Sequence, residues 1–421
     1  MAASRSTLRL LGITLLLLLC CGSIAAALSA EPDHVTLTWA GDPRTSQTIT
    51  WRTDVSVPAG QIRLWEPGPD QTVLAPGVSL PATTRLLSTD AVDMNLHTVT
   101  VSGLKPATLY QYQVGSGGAW TGPYSFKTAP LKAEPFSFVI FGDSQSLDYS
   151  VWRKTLWQAY RDNPAAAFFV SMGDLVDVGQ DYAEWEDWFE AAAGVIESWP
   201  ILPVVGNHEC YTPERIFSRP RYFTAQFNVP ENGPAELKRQ AYSFDYGEVH
   251  FSVLDSQAGE QKLFVPDLLE RQRQWLAQDL AGTDKKWRIV LLHRPLFGNK
   301  PDGVNEYLRQ VFAPLFDEYK VDVVFTAHDH VIARTVPINA DVAAAPPGFG
   351  TIHAATGRSG TKTYQNVEAK EWNAFFENPT AEPNYLVVAV TGTALKVRTV
   401  SVNGSVVDEW AVEKTVPKAT E

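Results

Sequence analysis

The sequence predicts an all-β front region followed by a layered α/β region. Two patterns predict it. From about residue 33 to 127, apolar and polar residues alternate with the period of strands. Beyond Pro135, short apolar runs alternate with stretches of helical period, the pattern of strands and helices stacked in layers. Five of the later runs also close on Asp, Asn or His, and this repetition points to a function.

In the front region, residues 35–39, 48–51 and 97–101 alternate strictly. Residues 104–115 follow the pattern Leu-x-Pro-x-Thr-x-Tyr-x-Tyr-x-Val, and Phe126 opens a last strand that runs into a linker marked by Pro130. In the second region, 136–141, 166–172 and 199–205 read as strands. Helices at 151–161 (Trp152, Leu156 and Tyr160 on one face) and 183–196 (Trp185, Trp188 and Phe189 inward) lie among them. Further strands are predicted at 242–244, 249–254, 287–292 and 321–326, with helices at 267–280 and 305–319. Residues 384–411 return to strands, with a turn at Asn403 and Gly404.

A chain of 421 residues has room for two domains and a targeting segment, and its 13 Trp allow large cores. The net charge is −12, with no dense run of Lys or Arg, so a nucleic-acid surface is not expected. Arg5 and Arg9 precede an apolar run over 8–19, and small residues follow over 22–30. This reads as a signal peptide over 1–30, cut after Ala27 or Ala30, and implies a secreted or cell-envelope protein. The Leu run is short for a membrane span. A lipoprotein tether at Cys20 or Cys21 is a further alternative, although Leu19 is large for that signal. Only Cys210 then remains, so the mature chain has no intrachain disulfide and no transmembrane segment.

The strand-end motifs carry Asp143 (with Gln145 nearby), Asp174, Asn207 and His208, His293, and His328 and His330. Strand ends of open α/β sheets are where ligands bind. Two aspartates, an asparagine and three histidines make a ligand set for two divalent metal ions, with Fe, Mn, Zn or Mg all suited. Such a pair serves in-line displacement at a phosphate ester above all. Four of the chain's 8 histidines fall in these motifs, a concentration that structural turns do not require.

This order of motifs resembles the calcineurin-like metallophosphoesterase superfamily, in its purple acid phosphatase branch. The front region resembles the fibronectin type III-like domain of that branch. The resemblance implies an all-β sandwich over 31–130, with Tyr110 as its corner tyrosine, and a four-layer αββα catalytic sandwich over 136–412. It implies that Asp174 bridges the metals, that Asp143 and His330 hold the first, and that Asn207, His293 and His328 hold the second. His208 would face the phosphate and protonate the leaving oxygen, Glu209 would orient a neighbour, and a solvent hydroxide between the metals would attack. Asp174, Asn207 and His208 thus form the expected catalytic group.

Three positions depart from the family pattern. Asp177 stands where the purple enzymes carry a tyrosinate, so a purple charge-transfer band is not expected. Gln145 stands where many non-purple relatives have His; its amide oxygen either joins the first metal or bonds a nearby loop. Ala327 replaces the usual Gly before His-x-His. A weaker first site favours a pair of like divalent ions.

The expected activity is hydrolysis of a small phosphate ester, monoesters first. Phosphodiesters are the alternative on the same site, and a non-catalytic metal-containing binding module is another. Among remaining residues, His250 is expected to face the core and His353 to lie near a loop at the site. Arg294 and Arg358 are read as substrate contacts or structural pairs. The aromatic segment 361–379 would shape the substrate mouth or pack an interface.

Overall fold

The computed structural model describes residues 29–68, 77–301, 305–339, 342–343 and 350–414. Residues 1–28, on which most of the expected signal peptide falls together with Cys20 and Cys21, lie outside the described residues. Among the described residues no helix is long and apolar enough to cross a membrane.

Eight strands between Asp33 and Lys127 form two four-stranded sheets. Leu37, Ile49, Trp51, Ile62, Val99, Tyr112 and Phe126 meet between them. The Tyr110 hydroxyl accepts the Lys105 N–H at 3.0 Å, which ties the corner. Val78–Pro81 and Thr83–Ser88, absent from the sequence reading, are mostly exposed, so they carry little of the alternating signal.

The second region holds two large sheets face to face. The first runs Ile201–Pro203, Phe169–Ser171, Phe136–Phe141, Asn384–Val390, Ala394–Ser401, Val406–Glu413. Its first three strands are parallel and the rest antiparallel. The second sheet is parallel through Val249–Leu254, Trp287–Leu292, Val323–Thr326 and Ile352–Thr356, with antiparallel edges. Strand period divides the residues between layers: Phe138 and Ile140 enter the core between sheets, while Val139 and Phe141 face the helices. Because both faces are covered, these strands read as continuous apolar runs.

Helices Ser150–Asp162 and Tyr182–Ala192 cover the first sheet through Trp152, Leu156, Trp185 and Trp188. Helices Leu268–Gly282 and Glu306–Glu318 cover the second through Leu276, Leu280, Leu308 and Phe312. The stack is helix, sheet, sheet, helix, the four layers expected.

The sandwich shares cores with this body. Leu87, Met94 and Leu96 pack in one cluster with Trp185 and Phe223, and Trp39 packs with Phe168 and Phe244. Arg52 pairs with Asp33 at 2.6 Å and reaches across to Glu186 at 2.6 Å, and the Tyr112 hydroxyl donates to the Glu197 carbonyl at 2.6 Å.

Candidate metal centre

Each motif residue stands just beyond the C-terminal end of a parallel strand, and the two facing sheets bring those ends to one edge. The backbone turns sharply there. Gly173, Asp174, His328 and His330 have φ of 91°, 51°, 68° and 56°. Left-handed backbone at non-glycine residues is costly and persists only where its surroundings enforce it. Here those surroundings include Glu209, which is fully buried and accepts N–H groups from Asp174 (2.9 Å), Leu175 (2.7 Å) and Gly206 (2.6 Å).

His293 donates from Nδ1 to the Met172 carbonyl at 2.8 Å, which leaves Nε2 facing inward. Nε2 lies 3.2 Å from Asp174 Oδ2, 3.2 Å from Asn207 Oδ1 and 3.3 Å from His328 Nδ1. The Asn207 amide is oriented by donation to the Tyr211 hydroxyl at 3.1 Å, so its oxygen points in. Likewise His330 donates from Nδ1 to the Lys362 carbonyl at 2.7 Å and turns Nε2 to Asp143 Oδ1 at 3.2 Å. That Asp143 oxygen is buried without a hydrogen-bond partner, and it lies 4.0 Å from His293 Nε2.

Oxygen and imidazole lone pairs thus converge in a buried space. Burial opposes charge on His293, yet Asp174 and Asp143 push its imidazole up to about 9. Burial likewise opposes charge on Asp174, but His293 and His208 hold its carboxyl well below the usual range. His328 is pushed down by burial and by Arg294 and Lys300, which keeps its ring neutral as a ligand must be. An orphaned carboxylate oxygen and inward lone pairs fit cations, and Asp174, His293 and His328 bring ligand atoms within 4.8 Å of one another.

His208 flanks this group. Its backbone N–H donates to Asp174 Oδ1 at 2.9 Å, and its Nε2 lies 3.8 Å from Asp174 Oδ2. Nδ1 donates to the Asp177 carbonyl at 2.6 Å, which fixes the ring. The Asp177 carboxylate pairs with Arg215 and Lys362, while Asp181 caps the following helix.

Gln145 turns its amide oxygen to Lys362 at 3.2 Å and its nitrogen to Asp174 Oδ2 at 3.3 Å and His330 Nε2 at 3.4 Å. An amide nitrogen offers no lone pair to a cation, so in this arrangement Gln145 borders the centre and bonds the neighbouring segment through its oxygen, the second of its two readings. Arg358 is spent on the carbonyls of Pro379, Gly360 and Thr380 and is structural. Arg294 reaches His328 Nε2 at 3.2 Å while pairing with Glu260. His353 is buried against Phe297, away from the centre, and burial holds it down to about 3. His250 is buried as expected, but between Asp245 (2.8 Å) and Asp279 (2.9 Å) rather than in apolar surroundings.

The aromatic segment lies within the layered domain, beside the centre at one end and in its helix-side core at the other. Tyr364 lies beside the His330 ring at 4.6 Å, while Trp372 packs on Phe297. The sequence reading missed Lys362, Lys300 and Tyr211, because no strand-end motif marks them.

Residues 32–128 match the family model described as the purple acid phosphatase N-terminal domain, and residues 136–332 match that of the calcineurin-like phosphoesterases. The chain is 30% identical over 250 residues to purple acid phosphatase 21 of Arabidopsis thaliana, covering 58% of this chain and 54% of the relative. It is 28% identical over 319 residues to a purple acid phosphatase of Glycine max, covering 72% and 66%. These matches span between half and two thirds of the relatives' length. Among solved structures, the purple acid phosphatase PPD1 from yellow lupin seeds aligns with TM-score 0.76 at 20% identity over 91% of this chain and 74% of its own. PhoD aligns with TM-score 0.63 at 13% identity, covering 91% and 92%. At these identities the solved structures speak for the fold alone.

Proposed function

The chain belongs to the calcineurin-like metallophosphoesterase superfamily, in its purple acid phosphatase-like branch, and from that premise we propose that it hydrolyses phosphate esters, phosphomonoesters first. One observation carries the reading: buried, inward-facing ligand atoms, including the unpartnered Asp143 oxygen, stand directly beside a histidine aimed at the same space. Asp143 and His330 would hold one ion, Asn207, His293 and His328 the other, and Asp174 both. The pair would supply Lewis acidity and an activated water.

The chain's own groups do the rest. Carbonyl acceptors on Nδ1 of His293 and His330 fix which ring nitrogen faces inward. Glu209 gathers the N–H groups that shape the Asp174 turn. His208 stands at the rim, where an imidazole can stabilise phosphoryl charge and pass a proton to a leaving oxygen. A purely structural metal site has no need of such a ring. The leading apolar segment supports action outside the cytoplasm.

The test is side-by-side hydrolysis of a chromogenic phosphomonoester and its diester by protein reconstituted with Mn, Zn, Fe or Mg, with Asp174→Asn as control. Monoester turnover that the control lacks supports the reading. Diester turnover alone moves the protein to the phosphodiesterases. No turnover with either ester, despite two bound ions, moves the reading to a binding module or to an enzyme of narrow natural substrate.

A further inference from the structure

Lys362 has all three of its N–H donors engaged at the edge of the centre. Its ammonium lies 3.2 Å from Gln145 Oε1, 3.0 Å from Asp177 Oδ1 and 3.1 Å from His208 Nε2. The His208 ring is compatible with this arrangement: Nδ1–H goes to the Asp177 carbonyl, so the Nε2 lone pair is left to accept from Lys362. The root of the side chain is held as firmly as its tip. The Lys362 carbonyl accepts from His330 Nδ1 at 2.7 Å, and the preceding Thr361 N–H donates to the Ser146 hydroxyl at 3.2 Å. Asp177, which anchors the ammonium, is itself tied to Arg215 at 2.8 Å. The Lys362 side chain is still 33% exposed, so it faces the opening rather than the core.

We infer that the Lys362 ammonium contacts a non-bridging oxygen of the bound phosphoryl group and selects dianionic phosphomonoesters over singly charged diesters. This rests on the phosphoesterase reading above. Two of the three acceptors, Gln145 Oε1 and His208 Nε2, are neutral and can be exchanged for phosphoryl oxygens, while the third keeps the charge in place. A fixed cation discriminates by ligand charge: a phosphate monoester carries close to two negative charges near neutrality, a diester one. Charge-assisted hydrogen bonds to phosphate are the strong kind.

The test uses the full, metal-loaded chain and reads binding apart from turnover. Inorganic phosphate and dimethyl phosphate are titrated calorimetrically near pH 8, with metal content measured on the same samples. Lys362→Met is expected to weaken phosphate about 30-fold, the loss of one charge-assisted hydrogen bond, and dimethyl phosphate by no more than about 3-fold. Metal content should stay at the wild-type value, because the backbone carbonyl and not the side chain orients His330. Lys362→Arg should recover most of the phosphate affinity, and Lys362→Gln gives a second neutral variant should the methionine chain fold poorly. Equal weakening of both anions, unchanged phosphate affinity, or metal loss on side-chain removal would each overturn the inference. Wild-type protein that binds phosphate through Lys362 but turns over no monoester would remove the phosphatase reading and leave this contact standing.

Discussion

A single carbonyl decides what His293 can do. With Nδ1 given to Met172, the other nitrogen is committed to two oxygens that cannot donate, and only a proton or a metal ion resolves that meeting. Asp174→Asn keeps the oxygen that accepts the His208 N–H, so the fold should hold while at least one metal per chain is lost. Retention of both ions at full occupancy in elemental analysis would remove the bridging assignment. His208→Ala should lower kcat about 10²- to 10⁴-fold, the usual worth of a general acid, with metal content unchanged. Loss of both together would assign the ring to folding. These residues were legible because each follows a strand, and most follow a glycine or small residue as well. Lys362 was not, since its neighbours Gln145, Asp177 and His208 come to it only through the fold. The departure at Asp177 was visible in the sequence, but its meaning was not, because its partners Arg215 and Lys362 lie far along the chain.

At the level of elements, the long helices and apolar strands were read to within a few residues, since their periodicity is strong. What escaped in the second sheet was Ile352–Thr356 and the far edge beyond it, Ile332–Thr335 with Asn373–Glu377, whose strands are short and carry mixed side chains. The turns that present ligands have their own sensitivity. At Gly206 an added Cβ would press on the Asp174 backbone and carboxylate and on Glu209. Gly206→Ala should therefore cost about 1–3 kcal/mol of stability through overpacking and reduce metal content, read by urea denaturation and elemental analysis. The strand Val249–Leu254 carries a different dependence. Burial disfavours charge on His250, but Asp245 and Asp279 overcome it and push the imidazole up to about 9. Its folded value lies above the unfolded one, so the ion pair stabilises fully below about pH 6.5 and is lost as pH rises through about 9. His250→Gln should remove on the order of 2–3 kcal/mol at neutral pH, and the variant should lose less stability than the wild type between pH 7 and 10. Parallel stability curves for the two proteins would dismiss the His250 contribution.

Across the whole molecule, the sandwich and the layered body share apolar clusters rather than meeting at a wet seam. Leu87, Met94 and Leu96 are buried with Trp185, and Arg52 is 4% exposed between Asp33 and Glu186. Domains joined through a common core unfold together. Calorimetry should show one transition, and Arg52→Ala should lower its midpoint without splitting it. Two resolved transitions would show independent units. The composition and strand texture announced two regions, but no sequence feature said that their cores would merge, because the contacting residues look like ordinary strand positions.

The first sheet has one further property. The strand that leads to Asp143 sits between Phe169–Ser171 and Asn384–Val390, and the latter pairs with it from Phe136↔Val390 to Ile140↔Leu386. Translation delivers these partners some 250 residues apart. Until the hairpin of Asn384–Val390 and Ala394–Ser401 leaves the ribosome, the three parallel strands leading to Asp143, Asp174 and Asn207 present an open, apolar edge with no neighbour. Such edges invite pairing with other chains. The nascent polypeptide therefore needs shielding for most of its synthesis, and a premature stop that spares every metal ligand would still leave the protein prone to aggregate. These later strands act as the clasp of the sheet, though they carry none of the residues proposed to hold the metals.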